Sequence, residues 1–94
     1  MTYSLNYEGF ERYLTSIDFD DCRGTRTYVF RFDNGYGALV TDYSDPKWEV
    51  TVINYYEDLS NNYFMDFSTD VTDDIIVDAS NDDVLNILNQ IKEL

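Results

Sequence analysis

Hydrophobic and polar positions alternate with a period of two through the middle of the chain and recur with a helical period at both ends. Residues 25–33 (TRTYVFRFD) and 36–43 (YGALVTDY) are β-branched and aromatic, and Asn34-Gly35 joins them. Both turn residues tolerate positive φ, which the two-residue type I′ hairpin requires. Such a turn pairs Phe32 with Gly37, Phe30 with Leu39 and Tyr28 with Thr41. Those residues are expected on the core side, with Val29, Arg31, Tyr36 and Val40 on the other face. After a turn at Ser44-Asp45-Pro46-Lys47, residues 48–56 (WEVTVINYY) set Trp48, Val50 and Val52 against Glu49, Thr51 and Ile53, a half-buried strand. Residues 57–62 read as a polar loop and 63–67 (YFMDF) as a short fourth strand.

The two ends carry the helical signal. Tyr7, Phe10, Tyr13, Leu14 and Ile17 share one face of a helix predicted over residues 6–17, with Asn6 as its cap and Gly9 as a weak point. Asp18-Phe19-Asp20-Asp21 then reads as a loop, and Arg23-Gly24 as a turn. At the C-terminus, Val84, Leu85, Leu88 and Ile91 form a stripe, with Ile87 at its edge. Ser80 and Asp83 make a capping-box variant in front of it, and Lys92 suits the far end of the dipole. Ile75-Ile76-Val77 reads either as a short strand or as a buried loop anchor. The pattern therefore predicts an α+β fold. Its four-stranded antiparallel meander carries an N-terminal helix and a C-terminal helix packed on it, in a single domain over residues 1–94.

Charge changes the picture more than composition does. The net charge is −13, from 19 acids against six bases, where a small domain is comfortable at a magnitude of roughly 2–8. The excess is uneven, about −3 over residues 1–44 and −10 over 45–94. Nine acids and no base lie between Glu57 and Asp83. Such a chain repels nucleic acid and anionic lipid, so no direct nucleic-acid or membrane partner is expected; the favoured partner is basic. No run approaches the ~20 apolar residues of a membrane span, and the first residues lack the basic start of a signal peptide. With one cysteine, Cys22, the reading is a cytoplasmic protein without a disulfide.

Candidate chemistry is thin. Asp20-Asp21, Asp73-Asp74 and Asp82-Asp83 are adjacent carboxylates, yet neighbours on a strand point to opposite faces, which does not suit paired acid/base work. There is no histidine, which removes the commonest proton carrier. An EF-hand loop starting at Asp18 would need Gly and Glu where Arg23 and Val29 stand. Cys22 lacks a partner base. Tyr36, Tyr43, Tyr55, Tyr56 and Tyr63 suit a protein interface better than base stacking, which uses a basic groove. The reading is a non-enzyme with no catalytic residue, no metal and no cofactor.

The run Phe30-Arg31-Phe32-Asp33-Asn34-Gly35-Tyr36-Gly37-Ala38-Leu39-Val40, then Trp48-Glu49-Val50, then Thr72-Asp73-Asp74-Ile75 and a terminal helix, resembles a group of small bacteriophage proteins. Their shared core reads RFxNGYGAxV…WE…TDDV. The likeness covers about residues 28–94 and leaves the first segment outside. It departs from the group's form at Thr69-Asp70-Val71, where Thr-Pro-Ile is usual. The resemblance implies a phage or prophage origin and carries over no activity.

Charge and resemblance together lead to one expectation. It is a phage-encoded acidic inhibitor in the cytoplasm of a bacterial host. It would occupy the nucleic-acid-binding surface of a basic defence protein, such as a CRISPR or restriction nuclease, by mimicry of a phosphate backbone. The expected contact set is Glu57, Asp58, Asp66, Asp70, Asp73, Asp74 and Asp78, with Asp82 and Asp83 reserved for the helix N-terminus. The bland alternative for this stretch is a solvated face. The alternative functions are a phage assembly protein that forms homodimers or larger oligomers through an aromatic sheet face, and a sequestering protein with a small-molecule pocket between sheet and helix.

Overall fold

The computed structural model describes residues 5–44, 47–56 and 62–94. Its central hairpin joins β2 (Thr25–Arg31) to β3 (Tyr36–Ser44). The pairing differs by one residue from the predicted register: Phe30 faces Ala38, Tyr28 faces Val40 and Thr27 faces Thr41. The connection is three residues long, closed by the Phe32 N–H donating to the Tyr36 carbonyl at 2.8 Å. Only its last residue, Gly35, has a positive φ, +87°, as in hairpins that end on a left-handed glycine. Asn34 is occupied elsewhere. Its amide nitrogen donates to the carbonyls of Ile91, Lys92 and Leu94 at 2.9–3.2 Å, and its Oδ1 accepts from the Tyr36 N–H. The turn residue thus gathers the carbonyls at the helix end, where the intrahelical ladder runs out of donors. A one-residue shift exchanges the faces of a strand. Ala38 and Val40 therefore join Tyr28 and Phe30 in the main core, and Leu39 moves to the opposite face beside Val29.

The predicted N-terminal helix is not formed. Gly9 turns the chain at φ +94°, a single 3-10 turn follows at Glu11–Tyr13, and β1 (Leu14–Asp20) begins at once. Phe10 and Tyr13 reach the core from this one turn, their rings edge-on to Phe32 at 6.3 and 5.0 Å. Beyond Tyr13, the alternation of Thr-Ser-Ile-Asp-Phe-Asp suits a strand, and β2 offers an open edge. β1 pairs antiparallel with it from Leu14–Phe30 to Asp20–Thr25. Asp18, Phe19 and Asp20 are thus strand rather than loop. Gly24, at φ +65°, closes the turn by donating to the Asp20 carbonyl at 2.7 Å. Asn6 caps no helix here. It exchanges two hydrogen bonds with Asn81, at 2.8 and 2.7 Å.

β4 (Lys47–Tyr55) pairs with β3 along one edge and shares its other edge between two short strands. β5 (Tyr63–Met65) lies against Ile53, Asn54 and Tyr55; β6 (Ile76–Ala79) lies against Trp48 and Val50. Among the described residues the sheet therefore has six strands, in the order β1-β2-β3-β4-β5 with β6 also on β4, where four were expected. β6 resolves the ambiguity over Ile76 and Val77, while Ile75 lies just before it. Three residue steps in β6 oppose two in β4, and Asp78 takes up the excess at φ +56°, as a bulge does.

α1 (Asn81–Lys92) follows the sequence closely. Both capping-box bonds between Ser80 and Asp83 are present, and Val84, Ile87, Leu88 and Ile91 are buried. These side chains close over Phe30, Val40, Val50 and Val52, all fully buried. Asp45, Pro46 and positions 57–61 of the expected polar loop lie outside the described residues.

Candidate interaction surfaces

The acidic run expected to act as one surface divides by environment. Asp66 is buried, at 6% exposure. Its carboxylate accepts from the Ser68 hydroxyl, from the Ser68 N–H at 2.9 Å and from the Asn54 amide at 3.1 Å. Its own N–H donates to the Val52 carbonyl at 2.9 Å. Asp66 thus fastens the chain leaving β5 to β4, and its carboxylate is not available as a contact group. A solvated acid in a charge run and a buried acid look alike in sequence; the distant partner Asn54 makes the difference.

The Ser68 hydrogen bonds, hydroxyl first, hold the Asp66 carboxyl below the usual carboxylate range against the opposing effect of burial; Asn54 adds to the lowering. A depressed folded-state pKa contributes stability that is present above the unfolded value and lost as pH falls through the folded one. Asp66→Asn is expected to cost roughly 1–2 kcal/mol at neutral pH, as the loss of charged hydrogen bonds does. The gap between wild type and variant should narrow below pH ~4, where the unfolded carboxyl protonates. Urea unfolding of both proteins from pH 7 to pH 2 measures this. Taking the difference removes the general relief of charge repulsion that acid brings to both.

Asp70, Asp73, Asp74 and Asp78 are exposed, on the segment leading to and through β6. Val71 and Ile76 pack against the core and tie that segment down. The Thr72 hydroxyl donates to the Asp74 carbonyl at 2.8 Å and accepts from the Asp74 N–H at 3.1 Å. Asp82 and exposed Asp83 continue the run into the first turn of α1. The Asp83 carboxyl is held low chiefly by its capping bonds from Ser80, with a smaller contribution from Lys47. Two ion pairs are found among the described residues, Arg12–Asp33 at 3.1 Å and Arg23–Asp20 at 3.9 Å. Neither touches the four exposed aspartates, which have no ion pair among the described residues. Glu57 and Asp58, also expected in the contact set, lie outside the described residues.

A second feature escaped sequence reasoning. The face of the sheet away from α1 carries its own small cluster of Val29, Ile53 and Tyr55, with Leu39 against it. Gly37 lies between β2 and β4 in that region, and the bare backbone lets the Tyr55 ring lie across β3. The ring reaches the Arg31 guanidinium, 4.2 Å from its centroid, and meets Tyr63 edge-on at 5.4 Å. Burial raises the Tyr55 pKa, with the nearby Thr15 hydroxyl and Arg31 guanidinium working against it. Between β1 and this aromatic pair is a trough of about 250 Å3, lined by Thr15, Ser16, Asp18, Val29, Tyr55 and Tyr63. The available signal was a glycine within a strand, which often marks a close approach. Of the other tyrosines expected at a surface, Tyr56 is exposed and Tyr36 packs against the core; the Tyr43 side chain lies outside those described.

Cys22 is a free, exposed residue of the β1–β2 turn. No described helix is long and apolar enough to cross a membrane. Comparison of the chain with protein-family models, curated proteins and solved structures yields no match.

Proposed function

We propose that this protein is a non-enzymatic, phage-encoded inhibitor that docks on the basic nucleic-acid-binding surface of a bacterial host protein, of the kind found in CRISPR or restriction nucleases. The observation that carries this reading is the string of exposed aspartates, Asp70, Asp73, Asp74 and Asp78, which have no ion pair among the described residues and sit on a segment anchored by Val71 and Ile76. Carboxylates held by a folded segment present spaced negative charge without the ordering cost of a loose tail. A channel that binds a phosphate backbone through Lys and Arg would be attracted and steered by such a string. The site acts in the host cytoplasm, by occupying a surface rather than by chemistry.

Reversing Asp70, Asp73 and Asp74 together to Lys is expected to weaken binding to a basic nuclease effector at least ~100-fold. Each close charge pair contributes on the order of 1.5 kcal/mol or more. The salt dependence of the remaining affinity should also flatten. A charge-matched control, with Glu8, Asp21 and Glu93 reversed, separates a docking site from the general field of a −13 protein. Calorimetric titration against purified CRISPR and restriction nucleases across salt concentrations reads both variants. Equal losses for the two triples would reduce the effect to net charge and overturn the reading.

Exposed Tyr56, Phe64 and Met65, with the Tyr56 and Phe64 rings 6.1 Å apart, favour the second reading, a homo-oligomeric phage assembly protein. Self-association that survives high salt in light scattering would support it.

A further inference from the structure

We infer that the trough on the sheet face opposite α1 is a binding site for one cationic side chain, an arginine or lysine presented by a partner. At about 250 Å3 it falls below the roughly 300–1,000 Å3 of small-molecule pockets and is scaled to a single side chain. Val29 forms an apolar base, Tyr55 and Tyr63 give an aromatic wall, and Thr15, Ser16 and Asp18 of β1 stand opposite. Tyrosine rings attract a cation brought within about 6 Å of their centroids, and arginine is the commoner guest. Asp18 supplies the countercharge; its exposed carboxylate has no hydrogen bond or ion pair among the described residues.

The protein itself shows what the wall accepts, because Arg31 already lies over Tyr55. Arg31 belongs to the neighbouring cleft with Arg12, Tyr13 and Asp33, and does not line the trough. Its charge works against a second cation at Tyr55, which shifts the load to Tyr63 and Asp18. The chain's net −13 favours a cation over an anion or a nucleotide at this site. The trough shares no residue with the acidic segment. The inference therefore goes beyond the proposed function and stands without it, since any partner with an exposed basic residue qualifies.

The test is a titration of the full chain with N-acetyl-arginine methylamide and, separately, with its uncharged citrulline counterpart. Proton NMR of the Tyr55 and Tyr63 rings is the readout. The arginine compound should shift both rings and bind about tenfold or more tighter than the citrulline compound, a difference of one charge-assisted contact. Asp18→Asn should remove most of that preference. Tyr63→Leu, which keeps an apolar group against Tyr55, should weaken both compounds. The Asp70, Asp73, Asp74 reversal should weaken arginine binding at the trough only through the general loss of negative charge, much less than Asp18→Asn does, since the two sites share no residue. Equal affinity for the two compounds, or an arginine response unchanged by Asp18→Asn, would overturn the inference. Neither result bears on inhibition through the acidic segment, which the nuclease titration reads separately.

Discussion

Gly37→Ala is expected to lower the unfolding free energy by roughly 3 kcal/mol or more, at the upper end of overpacking costs. The reason is space rather than conformation, because Gly37 is not among the glycines with positive φ. A Cβ placed there would lie 2.1 Å from the Phe30 carbonyl oxygen, 3.1 Å from the Tyr55 ring and 3.2 Å from Ile53 Cγ1. The first of these is a backbone atom, and the β2–β3 ladder holds it through the Phe30–Ala38 and Arg31–Gly37 pairs. It moves only if the strands part near their turn, or if the Tyr55 and Ile53 side chains give up the second cluster. A urea midpoint well below wild type, with an unchanged m-value, is the expected signature of lost stability without a change in unfolding surface. A midpoint within ~0.3 M of wild type would show that the hairpin end yields easily.

Phe30→Ala should be comparably severe, at about 3–5 kcal/mol, the range for emptying a buried aromatic site. Phe30 is fully buried, with the Tyr7 ring edge-on at 6.0 Å. Of its two cross-strand neighbours, Leu14 and Ala38, the second is too small to fill the void. Above it, α1 is held at both ends, by the Asn6–Asn81 hydrogen bonds and by Asn34, so collapse onto the cavity is limited. Phe19→Ala is the matched control. Phe19 sits on the outer strand β1 at 60% exposure, and its removal should cost no more than ~0.5 kcal/mol. Each kcal/mol corresponds to about 4–8 °C in a domain this small, so thermal melts followed by circular dichroism resolve the pair easily. A Phe19→Ala loss approaching that of Phe30→Ala would mean that the outer side of β1 is covered in solution. That outcome would favour the homo-oligomeric reading.

Where the residues alone were informative, the signal was local. Ser80, Asp83 and the stripe from Val84 to Ile91 specify α1 within a few residues of one another, and the helix forms as they dictate. β2, β3 and β4 fall within two residues of the alternating stretches. The N-terminal reading failed because Tyr7, Phe10 and Tyr13 at spacing three look helical, yet a single 3-10 turn suffices to bring Phe10 and Tyr13 to Phe32, while Tyr7 meets Tyr28 and Phe30 ahead of it. The register failed because Asn34 has a use that no neighbour reveals, holding the carbonyls at the end of α1. Asp66 was misplaced for the same reason, its partner Asn54 lying on another strand. The trough was invisible because Thr15, Tyr55 and Tyr63 meet only once β1, β4 and β5 belong to one sheet.

Sequence by itself determined the α+β class, the C-terminal helix and its cap, the strand-forming segments, and a net charge of −13 of which −10 falls in the second half. These depend on propensity, periodicity and composition, which act over a few residues or over the whole chain at once. Tertiary structure decided the strand order, the register at Gly37, which aspartates meet water and which are consumed by the fold, and the existence of a second face with its own cluster. Each of those follows from contacts between residues far apart in sequence, where one side chain's hydrogen bond or one missing Cβ outweighs local preference.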